Sequence, residues 1–278
     1  MSGFGGRNSR ELSACNKGKL RVVEKFKGGA DGLIRSIGGG SISLWLDSKD
    51  INNADGNLTS WSPKEGTEPS QPTEDKKPNF NSGGWIDNGP CVEFDHVGES
   101  MPTTTAINLG SVEKISVFGT VVVIGSQASR HSIWEYSAAF NTDRGFAIGF
   151  DTSNQPWVGL GTEGGYNYIT SNTSYLNEAF CIGSVADRAG DLVGEVALYI
   201  NGILEDDFVR GGGSANQPVN FAAGAGSWMG VRNDGDTGGD VRPLNGKVRE
   251  FIVLEGVETG EFQTWLMSKA LNYKAKIT

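Results

Sequence analysis

The chain has few cysteines, histidines and long apolar runs, and each scarcity excludes something. Three cysteines in 278 residues (Cys15, Cys91 and Cys181) are odd in number and widely spaced. They make no disulfide framework, and no CxxC pair is present to hold zinc. Only two histidines occur, His96 and His131, so a zinc centre or a Ser-His-Asp triad would have to use one of them. No apolar run is long enough to span a bilayer, and the N-terminus lacks the apolar core of a signal peptide. The expectation is synthesis in a reducing cytoplasm with no membrane partner. Helix-forming stretches are scarce too, whereas glycine is abundant at 41 residues, which favours short strands joined by tight turns.

Charge is divided unevenly. Residues 1–40 carry eight basic side chains against three acidic ones, so this arm is +5 and the rest holds −14 of a total of −9. An acidic body argues against nucleic acid as the main partner, because phosphate contacts need clustered Lys and Arg. The arm, with Arg7, Arg10, Lys17 and Lys19, has too few apolar residues for a core of its own and ends in Gly38-Gly39-Gly40. It reads as a basic anchoring segment that docks on a partner surface, and 41–278 as the folded domain.

In that body, apolar alternation predicts strands at 41–47, 91–95, 115–124, 131–140, 144–150, 156–161, 166–170, 179–187, 193–200, 203–209, 227–232 and 247–254. The run at 115–124 is continuous enough for a central strand buried on both faces. Asn201-Gly202 is the strongest hairpin signal, since both residues tolerate positive φ. Residues 48–90 read as a long loop pinned by Trp61, Phe80 and Trp85. One short helix is expected from Thr259, with Phe262, Leu266 and Ala270 facing a sheet edge. The expected fold is an all-β, antiparallel jelly-roll β-sandwich with a short C-terminal helix and an N-terminal arm.

Three stretches carry a resemblance. Leu44-Trp45-Leu46-Asp47 is followed by Gly56 to Trp61, Lys77-Pro78-Asn79-Phe80 and Cys91 to Asp95. The Leu198 to Gly202 hairpin comes next, then Met229 to Arg232 and Leu244 to Val253. In this order they resemble the laminin-G-like branch of the concanavalin-A-like lectin/glucanase superfamily, of the kind found in bacteriophage structural proteins. Phe4-Gly5-Gly6-Arg7 is also similar to the start of phage peptidoglycan peptidases of the zinc-dependent carboxypeptidase type, without their catalytic motif. The resemblance implies a virion structural protein, a head decoration or tail-appendage subunit. In that reading the arm engages other virion proteins in a homo-oligomeric assembly and the sandwich faces outward, where it can bind glycans. Two alternatives are a stand-alone carbohydrate-binding lectin-like module and a glycoside hydrolase of the same fold.

The residues argue against catalysis. Retaining glycosidases place two carboxylates about 5 Å apart across a cleft. No Glu-x-Asp-x-Glu run is present, Glu250 stands beside Arg249, and Glu205-Asp206-Asp207 reads as a solvated turn. Asp234, Asp236 and Asp240 crowd hard oxygen ligands into one segment and are the candidate calcium ligands, although ordinary turns use the same residues. Trp157, Tyr166 and Tyr168 lie on short strands between glycine-rich turns and are the candidate ligand-binding aromatics.

Overall fold

The computed structural model describes residues 41–95, 97–103, 107–125, 129–137, 145–162, 165–188, 196–212, 221, 225–233 and 240–256. The basic arm, Cys15, His96, Asp234, Asp236 and the helix expected from Thr259 therefore lie outside the described residues.

Among the described residues nineteen strands follow in chain order. They are β1 (Ser41–Asp47), β2 (Gly56–Asn57), β3 (Pro63–Glu65), β4 (Asn79–Asn81), β5 (Cys91–Asp95), β6 (Met101–Pro102), β7 (Lys114–Val123), β8 (His131–Tyr136), β9 (Phe146–Phe150) and β10 (Pro156–Thr162). Then come β11 (Gly165–Ser171), β12 (Ala179–Asp187), β13 (Val196–Ile200), β14 (Ile203–Leu204), β15 (Phe208–Gly212), β16 (Ser227–Met229), β17 (Arg232–Asn233), β18 (Asp240–Val241) and β19 (Asn245–Glu255).

Two antiparallel sheets face each other. The larger has ten strands in the order β14-β13-β12-β7-β19-β5-β4-β2, with β1 joined to β19 and β3 joined to β1. The smaller has seven, in the order β15-β11-β10-β9-β8-β16-β6, and β17 with β18 forms a separate ribbon. Between the sheets lie Val117, Val121, Phe180, Ile182, Phe251 and Val253 from one side and Ile133, Trp134, Phe146, Ile148, Val158 and Leu160 from the other. Trp134 sits at the centre, its ring 5.8 Å from Phe146 and 5.7 Å from Phe251. Its buried Nε1–H donates to Ser227 Oγ at 2.9 Å and Thr103 Oγ1 at 3.2 Å, so a large ring enters the core without an unsatisfied donor.

The apolar run of β7 becomes a central strand, with every residue after Lys114 buried. Asn201 and Gly202 take φ of 52° and 80°, and Ile200 pairs with Ile203, as a type I′ hairpin requires. The return strand expected over 203–209 is corrected, because it divides. After Leu204, the Glu205 carboxylate accepts the Asp207 N–H and turns the chain out of the larger sheet. Residues from Phe208 then pair with β11 in the smaller sheet. The region 48–90 is also less of a loop than its composition suggests. It contains β2, β3 and β4, and Trp61, Phe80 and Trp85 are buried as anticipated.

Candidate functional site

The alternation along the smaller sheet separates a core face from an outer face, and the outer face has an unusual composition. Phe146, Ile148 and Phe150 of β9 point into the core, so Ala147 and Gly149 point out. Carrying that register across the sheet gives three rows on the face turned away from the core. The middle row is Trp228, Glu135, Ala147, Gly159, Tyr168 and Gly211. Beside it on one side run Ser132, Gly149, Trp157, Thr170 and Val209. On the other side lie Gly145, Gly161 and Tyr166.

Glycine and alanine make the floor and aromatic rings make the relief. Gly149 is held to glycine by packing: an added Cβ would lie 2.1 Å from the His131 carbonyl oxygen. That approach arises at the bulge in β8 between Ser132 and Trp134, which turns both Ile133 and Trp134 toward the core. Tyr168 leans over Gly211, where a Cβ would meet its hydroxyl at 2.3 Å.

The three candidate aromatics come together here in different roles. Trp157 is wholly buried, its Nε1–H donating to the Phe150 carbonyl at 3.0 Å. It packs with Ala147 beneath Tyr166 and Tyr168 and forms the floor of the patch, not its contact surface. Tyr166 and Tyr168 are half-buried and stack with centroids 5.5 Å apart and planes 28° apart. They are two apart on one strand, so both rings emerge on the same side.

Sequence reading missed Arg130. Its guanidinium carbon lies 4.5 Å from the centroid of Tyr168 and 5.4 Å from that of Trp157. Preceding a strand and flanked by Ser129 and His131, it gives no pattern that would reveal this position. Glu135 was missed as well. It is 0% exposed, and its Oε1 accepts the Ser137 hydroxyl. It is the one carboxylate on the three rows.

The remaining candidates are located as follows. Asp240 lies in β18, paired with Asn233 of β17. Among the described residues no three His, Cys, Asp or Glu side chains gather in a group that could hold a metal. Glu250 accepts the Trp45 Nε1–H at 3.0 Å. His131, which the sequence leaves as either a surface or a hydrogen-bonded residue, is buried with its ring 5.3 Å from Phe150, because its place in the alternation faces inward. Cys91 and Cys181 are buried thiols outside any disulfide, and burial pushes the Cys91 thiol up to about 12, which removes it from thiolate chemistry at neutral pH. Among the described residues no helix is long and apolar enough to cross a membrane.

No protein-family model matches the chain, and no curated protein sequence matches it. Among solved structures it is similar to domain 4 of AbnA, a GH43 extracellular arabinanase from Geobacillus stearothermophilus, in complex with arabinotriose. That likeness has a TM-score of 0.55 at 14% identity and covers 83% of this chain and 98% of the other. Weaker likenesses are found to the SAP-like pentraxin of Limulus polyphemus, with TM-score 0.43 and 16% identity over 59% of this chain and 72% of that one. The CBM40 of the Ruminococcus gnavus IT-sialidase, bound to α2,3 sialyllactose, gives 0.43 and 14% over 56% and 83%. The chain thus shares an antiparallel β-sandwich fold with the arabinanase domain.

Proposed function

We propose that the protein is a non-enzymatic carbohydrate-binding module that receives its ligand on the outer face of the smaller sheet. The observation that carries this reading is the stacked, half-exposed pair Tyr166 and Tyr168, seated on buried Trp157 and capped by Arg130. Sugar rings present one apolar face and a rim of hydroxyls. Tyrosine matches both, with a flat ring and a hydrogen-bonding tip. The similarity to an arabinanase domain in complex with arabinotriose supports the reading at the level of fold.

The absence of turnover belongs to the same proposal. Glycoside hydrolysis needs a second carboxylate beside the first. The rows carry Glu135 alone, buried and engaged with Ser137. A glycan array read with the purified chain tests the function: binding that Tyr168→Ala removes supports it, and turnover of any bound oligosaccharide contradicts the non-enzymatic part.

A finer role, display on a bacteriophage virion as a head decoration or tail-appendage subunit, rests on the sequence resemblance and on the +5 arm with Arg7, Arg10, Lys17 and Lys19. In this role the arm docks on other virion proteins, and localisation to the virion in repeated copies follows. Deleting 1–40 is expected to leave a soluble body with a nearly unchanged melting temperature and to abolish virion attachment. An unfolded truncation would contradict the division into arm and body.

A further inference from the structure

We propose that the ligand is an acidic sugar, and that Arg130 reads its carboxylate. The proposal rests on the carbohydrate-binding reading above and narrows its substrate class. The guanidinium carbon of Arg130 lies over the rings of Tyr168 and Trp157, at 4.5 and 5.4 Å. A guanidinium held over aromatic rings by cation–π attraction keeps N–H donors around its edge for a further partner. Arg130 makes no ion pair or hydrogen bond among the described residues, although the chain as a whole has a net charge of −9. Its donors are therefore partly exposed and without an ion-pair or hydrogen-bond partner among the described residues. A planar carboxylate is the group that takes two such parallel donors.

Two further groups on the same face point to a polar ligand. Ser132 is 0% exposed and Thr170 is 7% exposed, and neither hydroxyl has a hydrogen-bond partner. They stand in the row of Trp157, Ser132 across Gly149 on one side and Thr170 on the other. A buried hydroxyl left without a partner is costly, and ligand hydroxyls or a bridging water can satisfy it. The carboxylate of the sugar pairs with the edge of Arg130, while its ring packs against Tyr166.

Carboxylated sugars occur as hexuronates and as sialic-type nonulosonates, and the test separates them. The full chain is titrated calorimetrically with oligogalacturonate and with sialylated lactose, each beside its neutral methyl ester. Wild type, Arg130→Gln, Arg130→Lys and Tyr168→Ala are compared, and circular dichroism and melting confirm that each variant is folded. The expected result is binding to one acidic series, roughly 10- to 100-fold weaker for its ester. Arg130→Gln should lose the same factor against the acid and nothing against the ester. Arg130→Lys should not restore the loss, because an ammonium offers no planar fork. Raised salt should weaken the acidic ligand alone. Equal affinity for acid and ester, or unchanged acid binding by Arg130→Gln, overturns the acidic-sugar proposal while leaving carbohydrate binding intact. If neither series binds, an array of neutral glycans decides: a neutral ligand lost in Tyr168→Ala overturns this proposal alone, and no ligand at all overturns both.

Discussion

The outer faces of the two sheets use their cations in opposite ways. On the larger sheet they are spent. Lys247 contacts Glu93 at 2.8 Å, Arg249 grips both oxygens of Asp87 at 2.9 Å, and Lys64 reaches Asp47 at 3.0 Å. Arg249 also lies 5.8 Å from the Trp85 ring, and the Lys247 ammonium donates to the Gly84 carbonyl at 2.7 Å, so the pairs fasten the segment before β5 to β19. On the smaller sheet the Arg130 guanidinium lies over two rings and pairs with no described carboxylate. One face pairs its charges with its own loops, and the other keeps a guanidinium over aromatic rings. The difference teaches where to look for a ligand: polar groups already matched within the chain stabilise the fold, whereas unmatched ones held rigidly are available to something else.

The comparison can be broken most forcefully at the floor. Trp157→Ala removes a wholly buried ring and its bond to the Phe150 carbonyl and is expected to cost about 3–5 kcal/mol in denaturant unfolding. A loss below about 1 kcal/mol would mean that the aromatic patch is not anchored as described. Next in size is Arg249→Gln, which leaves the half-buried Asp87 without its partner. The expected cost is about 2 kcal/mol, with faster proteolysis of the segment before β5. The guanidinium beside it holds the Asp87 carboxyl below the ordinary carboxylate range against the opposing effect of burial. That contribution should fade as pH falls through the depressed value, so wild type and Arg249→Gln should converge in acid.

Glu99 tests the larger sheet from the other direction. Burial, reinforced by the negative charges of Asp95 and Glu93, pushes its carboxyl up to about 7, although it accepts the Asp95 N–H. Between its ordinary value of 4.5 and about 7 the folded state holds a proton that the unfolded chain has released. Stability is therefore expected to fall as pH rises through that window, by on the order of 1–2 kcal/mol. Glu99→Gln should flatten the slope, and an unchanged slope would assign it to other groups. The smallest effect belongs to Arg130→Gln. With no ion pair to break among the described residues, it should cost less than about 1 kcal/mol, well below Arg249→Gln. A loss equal to that of Arg249→Gln would erase the distinction between the faces.

Much of this architecture was legible in the sequence, and the illegible parts share a cause. The bounds of β1, β5 and β12 follow from alternation of apolar and polar residues, and Asn201-Gly202 marks its own turn. Alternation could not show that the chain after Leu204 changes sheets, because Phe208 and Val209 continue an apolar pattern whichever sheet receives them. The candidate site divides in the same way. Trp157 and the pair Tyr166 and Tyr168 were visible as aromatics on strands. Their ranking, with one ring buried and two half-exposed, depends on neighbours brought from β9 and β15. Arg130, Ser132 and Glu135 left no local signal, since an isolated charged or hydroxyl residue at a strand start acquires meaning only from the strands that arrive beside it.

Carbohydrate binding by the patch at Tyr168 is the central claim, and the most direct measurement is a matched titration of the wild-type chain and Tyr168→Ala against the oligosaccharide that a glycan array selects. The account expects saturable binding by wild type and a loss of at least about tenfold in Tyr168→Ala, with melting temperatures that agree within a few degrees. Undiminished affinity in a folded Tyr168→Ala would place the ligand elsewhere on the molecule and contradict the account.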